Sequence, residues 1–134
     1  MIENRVSSQI IDSAIEVHRT LGGPGLLESV YEEALAWELR SRGLAVERQK
    51  YLPIQYKGLE LATPLKLDLL IEELVIVECK ATVVYNTVFE AQALTYLRLT
   101  GLRLALAINF GERLVRQGIH RVINAQTETT KIAK

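Results

Sequence analysis

The sequence predicts one α/β domain, a mixed central sheet flanked by helices, and three observations lead there. Two stretches within residues 5–42 carry apolar residues at helical spacing. Residues 46–81 then change to short apolar runs of strand length, rich in Val, Ile and Leu. A third helical stretch follows and leads into another apolar run. Two helices, a strand meander, a helix and further strands describe a sheet with helices packed on it, α/β or α+β in class.

The first helix is expected over residues 5–21. Val6, Ile10, Ile11, Ala14, Ile15, Val17, His18 and Leu21 recur at three- and four-residue intervals and build one apolar stripe. Gly22, Gly23, Pro24 and Gly25 stop it. The second helix is expected over residues 26–42, with Leu27, Val30, Tyr31, Ala34, Leu35 and Leu39 inward. Gly43, after the basic Arg40 and Arg42, is a C-terminal stop signal.

Strands are expected at 46–52 and 54–57, with turns at Pro53 and Gly58. The clearest are 65–71 and 75–81, continuous apolar runs that suit a sheet covered on both faces. A helix at 87–100 closes at Gly101. A buried strand at 102–109 runs into a turn at Phe110-Gly111. Short strands are expected at 113–116 and 119–122. From Asn124 the chain loses its apolar pattern and reads as a loose tail, 124–134, behind a domain of residues 1–123.

The bulk numbers exclude several classes. A chain of 134 residues buries about two-thirds of its unfolded surface and needs no disulfide or structural metal. At 49% hydrophobic and 24% charged, it is neither disordered nor a coiled-coil rod. Basic and acidic residues balance at 16 each, which argues against a protein that coats nucleic acid by charge alone. Cys79 is the single cysteine, so neither an intramolecular disulfide nor a cysteine zinc cluster can form. No apolar stretch approaches the ~20 residues of a membrane span. The opening MIENRVSSQIID lacks the order of a signal peptide. A cytoplasmic protein without membrane contact is expected.

Chemistry concentrates where charge is costly. Asp68 interrupts LKLDLLI, and Glu78 and Lys80 interrupt VIVECKA. A single charge there is as well explained by a solvated strand end; three on neighbouring strands call for partners or a metal. Glu78 and Lys80, two apart, share a strand face, and Cys79 points the other way as a small core residue. A three-residue loop, Glu72-Glu73-Leu74, pairs Ile71 with Val75 and sets Asp68 opposite Glu78. Directly opposed Cβ atoms lie about 5 Å apart, so the two carboxylates repel unless they share a cation or one holds a proton. Oxygen ligands of this kind suit Mg²⁺ or Mn²⁺. Such an ion polarises a phosphoryl oxygen and acidifies water. Lys80 is then the candidate to orient or deprotonate that water, or to stabilise transition-state charge.

GLLESVY, from Gly25 to Tyr31, resembles the signature of the GxxExxY family, a branch of the PD-(D/E)XK nuclease superfamily. The helix bearing Val17-His18, the glycine-rich turn, LDLLIEELVIVECKA, EAQALTYLRLTG and LALAINFG resemble the same family in the same order, from about residue 8 to 123. The resemblance implies a restriction-endonuclease-like core and a metal-dependent hydrolase of phosphodiester bonds in nucleic acid, DNA being the expected substrate. It implies that Glu28 is the first-helix acid supporting the metal, Asp68 the metal-binding aspartate, and Glu78 and Lys80 the (D/E)XK pair. Gln92 and Tyr96 match polar positions of the following helix; their i, i+4 spacing puts them on one face. The superfamily's proline is absent, Leu67 standing before Asp68.

Other residues have plainer readings. His18 is expected as a buried, hydrogen-bonded structural histidine, His120 as a surface residue, and Tyr31 and Trp37 as packing residues. Without the resemblance Glu28 reads as a first-turn acid complementing the helix dipole. Residues 22–25 lack the lysine and hydroxyl residue of a phosphate loop. Arg98, Arg103, Arg113, Arg116 and Arg121 bias the C-terminal half to basic, as a solvated surface or as phosphate contacts. Two rival functions stand beside the nuclease. One is a catalytically silent module on the same fold that binds nucleic acid or protein. The other is a structural or homodimeric protein in which Glu78 and Lys80 form an ion pair.

Overall fold

The computed structural model describes residues 2–125. Helix α1 is Ile2–Leu21, and its stripe of Val6, Ile10, Ala14 and Val17 is buried. The helix ends where Gly22 and Gly23 turn left-handed and the Gly23 amide bonds back to the His18 carbonyl at 2.9 Å. Helix α2 is Glu28–Ser41, burying Tyr31, Leu35, Ala36 and Leu39. Helix α3 is Val88–Thr100 and ends at Gly101 with φ 75°.

Among the described residues the strands are β1 (Val46–Leu52), β2 (Gln55–Tyr56), β3 (Leu59–Glu60), β4 (Leu65–Ile71), β5 (Val75–Lys80), β6 (Leu104–Asn109) and β7 (Ile119–Ile123). Five form the main sheet in the order β1-β4-β5-β6-β7. Only β5 and β6 pair in parallel, the geometry that a helical crossover through α3 makes possible. Every residue of β6 and all of β5 but Lys80 are buried, as a doubly covered sheet requires. One apolar cluster joins the sheet to α1 and α2, the other joins it to α3.

The expected elements are present, with differences in detail, among them Leu21 of the first stripe, which is exposed. Residues 54–57 supply only the short β2, which pairs with β3 in a hairpin outside the main sheet. The stretch at 113–116 is not a strand; a 3-10 helix, Val115–Gly118, leads into β7. Trp37 is not packed but 68% exposed, and Leu27 and Val30 also face outward, because α2 is covered on one side only. Asn124 is buried, its amide bonded to the Arg103 carbonyl at 2.9 Å; most of the expected tail lies outside the described residues. No helix among the described residues is long and apolar enough to cross a membrane.

Candidate metal centre

The β4–β5 hairpin has the three-residue turn that its length suggested, with Ile71↔Val75 and Leu69↔Val77 in register. The next opposed residues in that register are Asp68 and Glu78. The ladder stops before them, and side chains replace the main-chain bonds. The Asp68 amide donates to Glu78 Oε2, and the Cys79 amide donates to Asp68 Oδ2, both at 2.9 Å. Each acid is thus fixed by the main chain of the other's strand.

The other edge of β4 opens at the same residue. The β1–β4 ladder keeps one register from Val46↔Ile71 to Leu52↔Leu65 but omits the opposed pair Gln49 and Asp68. Gln49 stands at φ 50°, a conformation that costs a non-glycine residue energy. The packing reverses across this point. Leu65 and Leu67 belong to the α3-side cluster, whereas Leu69 and Ile71 belong to the α1/α2 side. Asp68 sits at the reversal, where it meets groups from both faces of the sheet.

On the α3 side lie Glu78, Lys80, Gln92 and Tyr96. Lys80 Nζ stands 3.3 Å from Gln92 Oε1 and 4.6 Å from the Phe89 ring centroid, and no salt bridge among the described residues joins it to Glu78. Tyr96 is hydrogen-bonded to Gln92; burial and the charges of Glu78 and Asp68 push its phenol up. On the α2 side a cleft is lined by Asp68, Glu28, Glu32, Arg48, Gln49 and Lys66, among others. The structure therefore brings Asp68, Glu78, Lys80, Gln92 and Tyr96 together, while Glu28 is exposed across the cleft. Among the described residues no three carboxylate, imidazole or thiolate groups converge into a closed cage.

The electrostatics follow from burial. Glu78 is raised to about 8, first by loss of water and then by the Asp68 charge; the Asp68 amide and Lys80 offset part of this. Burial also raises Asp68, with the Cys79 amide opposing it and the Glu32 charge adding to it. A buried and a half-buried carboxylate that repel each other fit a hard divalent cation, which would relieve the repulsion.

Three further groups escaped the sequence reading. Glu32 is buried and salt-bridged to Arg48 at 3.1 Å, and the Gln49 amide donates to both its oxygens at 2.8 and 3.0 Å. A glutamate inside YEEAL carries no signal that separates it from a solvated helix face. Asn109, fully buried, bonds the Thr82 amide, the Thr82 carbonyl and the Gly111 amide, and so fixes the chain just beyond Lys80. His120 is half-buried, not a free surface residue; its ring stacks on Tyr85 at 3.9 Å and 13°. His18 is the structural histidine expected, its Nε2 3.2 Å from the Phe110 carbonyl oxygen. Beside it Tyr31 stacks on Phe110 at 4.7 Å, donates to the Gly23 carbonyl and accepts the Leu26 amide, which anchors the glycine-rich turn before Glu28.

A family model described as the PD-(D/E)XK nuclease superfamily matches residues 4–122. No curated protein and no solved structure gives a significant match.

Proposed function

Because this chain belongs to the PD-(D/E)XK nuclease superfamily, whose members generally use divalent metals, we propose that it is a metal-dependent hydrolase of phosphodiester bonds in nucleic acid, with DNA the expected substrate. We assign it to the GxxExxY branch on the segment GLLESVY. Asp68 and Glu78 are the proposed ligands of Mg²⁺ or Mn²⁺, with Glu28 assisting from across the cleft. The observation that carries the reading is the reciprocal anchoring of Asp68 and Glu78 beside Lys80.

A divalent ion held there supplies a Lewis acid for a phosphoryl oxygen and a water of lowered pKa. The chain's own residues do the rest. Lys80, held between Gln92 and the Phe89 ring, keeps its ammonium in one orientation, which suits it to aligning a water or offsetting charge on the transition state. Tyr96 and Gln92 offer a phenol and an amide to position substrate oxygens.

A second reading draws on one observation, that no three ligating groups converge among the described residues. On it the cleft recognises nucleic acid or protein without cutting. Calorimetric titration of Mg²⁺ and Mn²⁺ into the wild type and Asp68→Ala, followed by cleavage assays with Lys80→Ala, separates the two. The nuclease reading expects metal binding that Asp68→Ala abolishes, and cleavage reduced at least about a hundredfold by Lys80→Ala. Nucleic-acid binding with Mn²⁺ but no cleavage would establish the silent module.

A further inference from the structure

The chain is neutral as a whole, with 16 basic and 16 acidic residues, but its charges divide between two cavities. The cleft beside Asp68 carries Glu28, Glu32 and Asp68. A second cavity, of about 480 Å³, lies between the end of α1 and the segment before β7. His18, Arg19, Arg113 and Arg116 line it, and no acid among the described residues does. Arg113 and Arg116 are exposed and enter no salt bridge among the described residues. Arg19 is bonded to Glu16, which stands outside the lining. Ile15, Leu114 and Val115 supply apolar walls.

His18 is the buried member of the set, 5% exposed. Its Nε2 meets the Phe110 carbonyl oxygen, which can only accept, so that nitrogen carries a proton. Nδ1 bonds no protein group among the described residues and is not sealed off, and the opening beside the ring is this cavity. Position ties the cavity to the metal centre. Phe110, whose carbonyl meets His18, donates its amide to the Lys80 carbonyl at 2.7 Å. Gly22 and Gly23 line the second cavity, while Leu26, Leu27 and Glu28 line the cleft, so the glycine-rich turn divides the two. The three residues from Gly23 to Leu26 span at most about 11 Å.

We propose that this cavity binds a nucleoside monophosphate, with Arg113, Arg116 and His18 on the phosphate and Ile15, Leu114 and Val115 against the nucleoside. Guanidinium groups match phosphate geometry in paired hydrogen bonds. A monoester brings a second negative charge that a backbone diester lacks, which suits a lining of cations alone. Nδ1 of His18 can accept from a phosphate hydroxyl or, as imidazolium, donate to a phosphate oxygen. The volume is that of a small-molecule site, about 300–1,000 Å³, in which a few polar groups orient a ligand held by apolar walls; a bare phosphate would leave it largely empty. Two sources share this chemistry, the phosphorylated end of a strand and a free mononucleotide. Hydrolysis of a phosphodiester adds water across a P–O bond and leaves a monoester on one product and a hydroxyl on the other. The choice of a nucleotide therefore rests on the nuclease reading, whereas the phosphate site does not.

Deoxythymidine monophosphate and thymidine are titrated into the full chain by calorimetry in EDTA, which silences the metal centre. The monophosphate should bind at least about tenfold more tightly than thymidine. The double variant Arg113→Gln/Arg116→Gln should weaken the monophosphate at least about tenfold. Arg98→Gln, at an exposed position on α3, serves as the control and should change it less than about twofold. Oligothymidines with a phosphate at the 5′ end, at the 3′ end or at neither tell the sources apart. A preference for a phosphorylated end that the double variant loses assigns the site to a strand end. Equal affinity of all three strands, beside a bound monophosphate, assigns it to the free nucleotide. Equal binding of thymidine and the monophosphate, no heat from the monophosphate at millimolar concentration, or a double variant indistinguishable from wild type overturns the proposal. Cleavage of DNA with Mn²⁺ by the same preparation then leaves the nuclease standing. A monophosphate held through the two arginines, in a protein that cleaves nothing, sustains the phosphate site while the nuclease reading fails.

Discussion

At the scale of single residues, Glu78 governs how the metal-free protein responds to pH. Its carboxyl sits at about 8 in the fold against 4.5 for an ordinary glutamate, so the native state holds its proton more tightly than the unfolded chain. That contribution is complete below about pH 4.5 and is lost as pH rises to about 8, on the order of 5 kcal/mol in all. Denaturant melts across this range should show metal-free stability falling with pH, and Glu78→Gln should flatten the slope. Divalent-cation affinity should move the other way, rising with pH as the ion displaces the proton. A calorimetric series in buffers of different ionisation enthalpy measures that proton release. The pairing of Asp68 with Glu78 was legible from the length of the hairpin turn. The backbone bonds that fix the two acids were not, because they arise where the ladder fails, and no residue in LKLDLLI announces the failure.

At the scale of elements, β4 is the decisive piece. A strand reading assumes strict alternation, and on that assumption Asp68 belongs to one face. The gap at Gln49 and Asp68 breaks the alternation and exposes Asp68 to both sides. Gln49 is neither glycine nor asparagine, so its left-handed backbone has no signal in composition; the bonds from its amide to Glu32 help hold it there. Helix α2 misled in the opposite way. Apolar spacing fixes which residues share a stripe, not whether a partner covers all of it, and so Leu27 and Val30 emerged exposed. The turn after β6 offers the sharpest test of an element junction. In Gly111→Ala the new methyl meets the Thr82 carbonyl, which Asn109 holds from the other side. Loss of about 3 kcal/mol in a urea melt is expected. Cleavage should also slow, because the loop that carries Thr82 and Tyr85 braces Phe89 and thereby Lys80.

At the scale of the whole molecule, charge balance sets how the protein meets a polyanion. The order of elements and the two-sided sheet followed from periodicity and apolar strand runs, since a buried parallel pair leaves few other sequences possible. The distribution of charge did not follow, because it depends on which acids and bases neutralise each other in space. With Arg48 bound to Glu32, Lys66 in the cleft lining and Lys80 on the α3 side are the cations proposed to meet backbone phosphate. The logarithm of the binding constant for a single strand should fall with that of salt at a slope of about −1.4, from two neutralised phosphates. Anisotropy titrations over a range of KCl measure it, and a much steeper slope would show that the arginines of the C-terminal half take part.

Cys79 turns the strand's two faces into a readout. Its amide holds Asp68 in the centre while its thiol, 1% exposed, is sealed in the core on the other side, and it is the chain's single cysteine. No alkylating reagent reaches that sulfur unless β5 parts from its neighbours. The unmodified protein therefore carries its own clock for opening of the sheet beneath the acids: ion binding should slow thiol labelling, and Asp68→Ala should quicken it. Quenched labelling followed by intact-mass measurement gives both rates without any foreign probe.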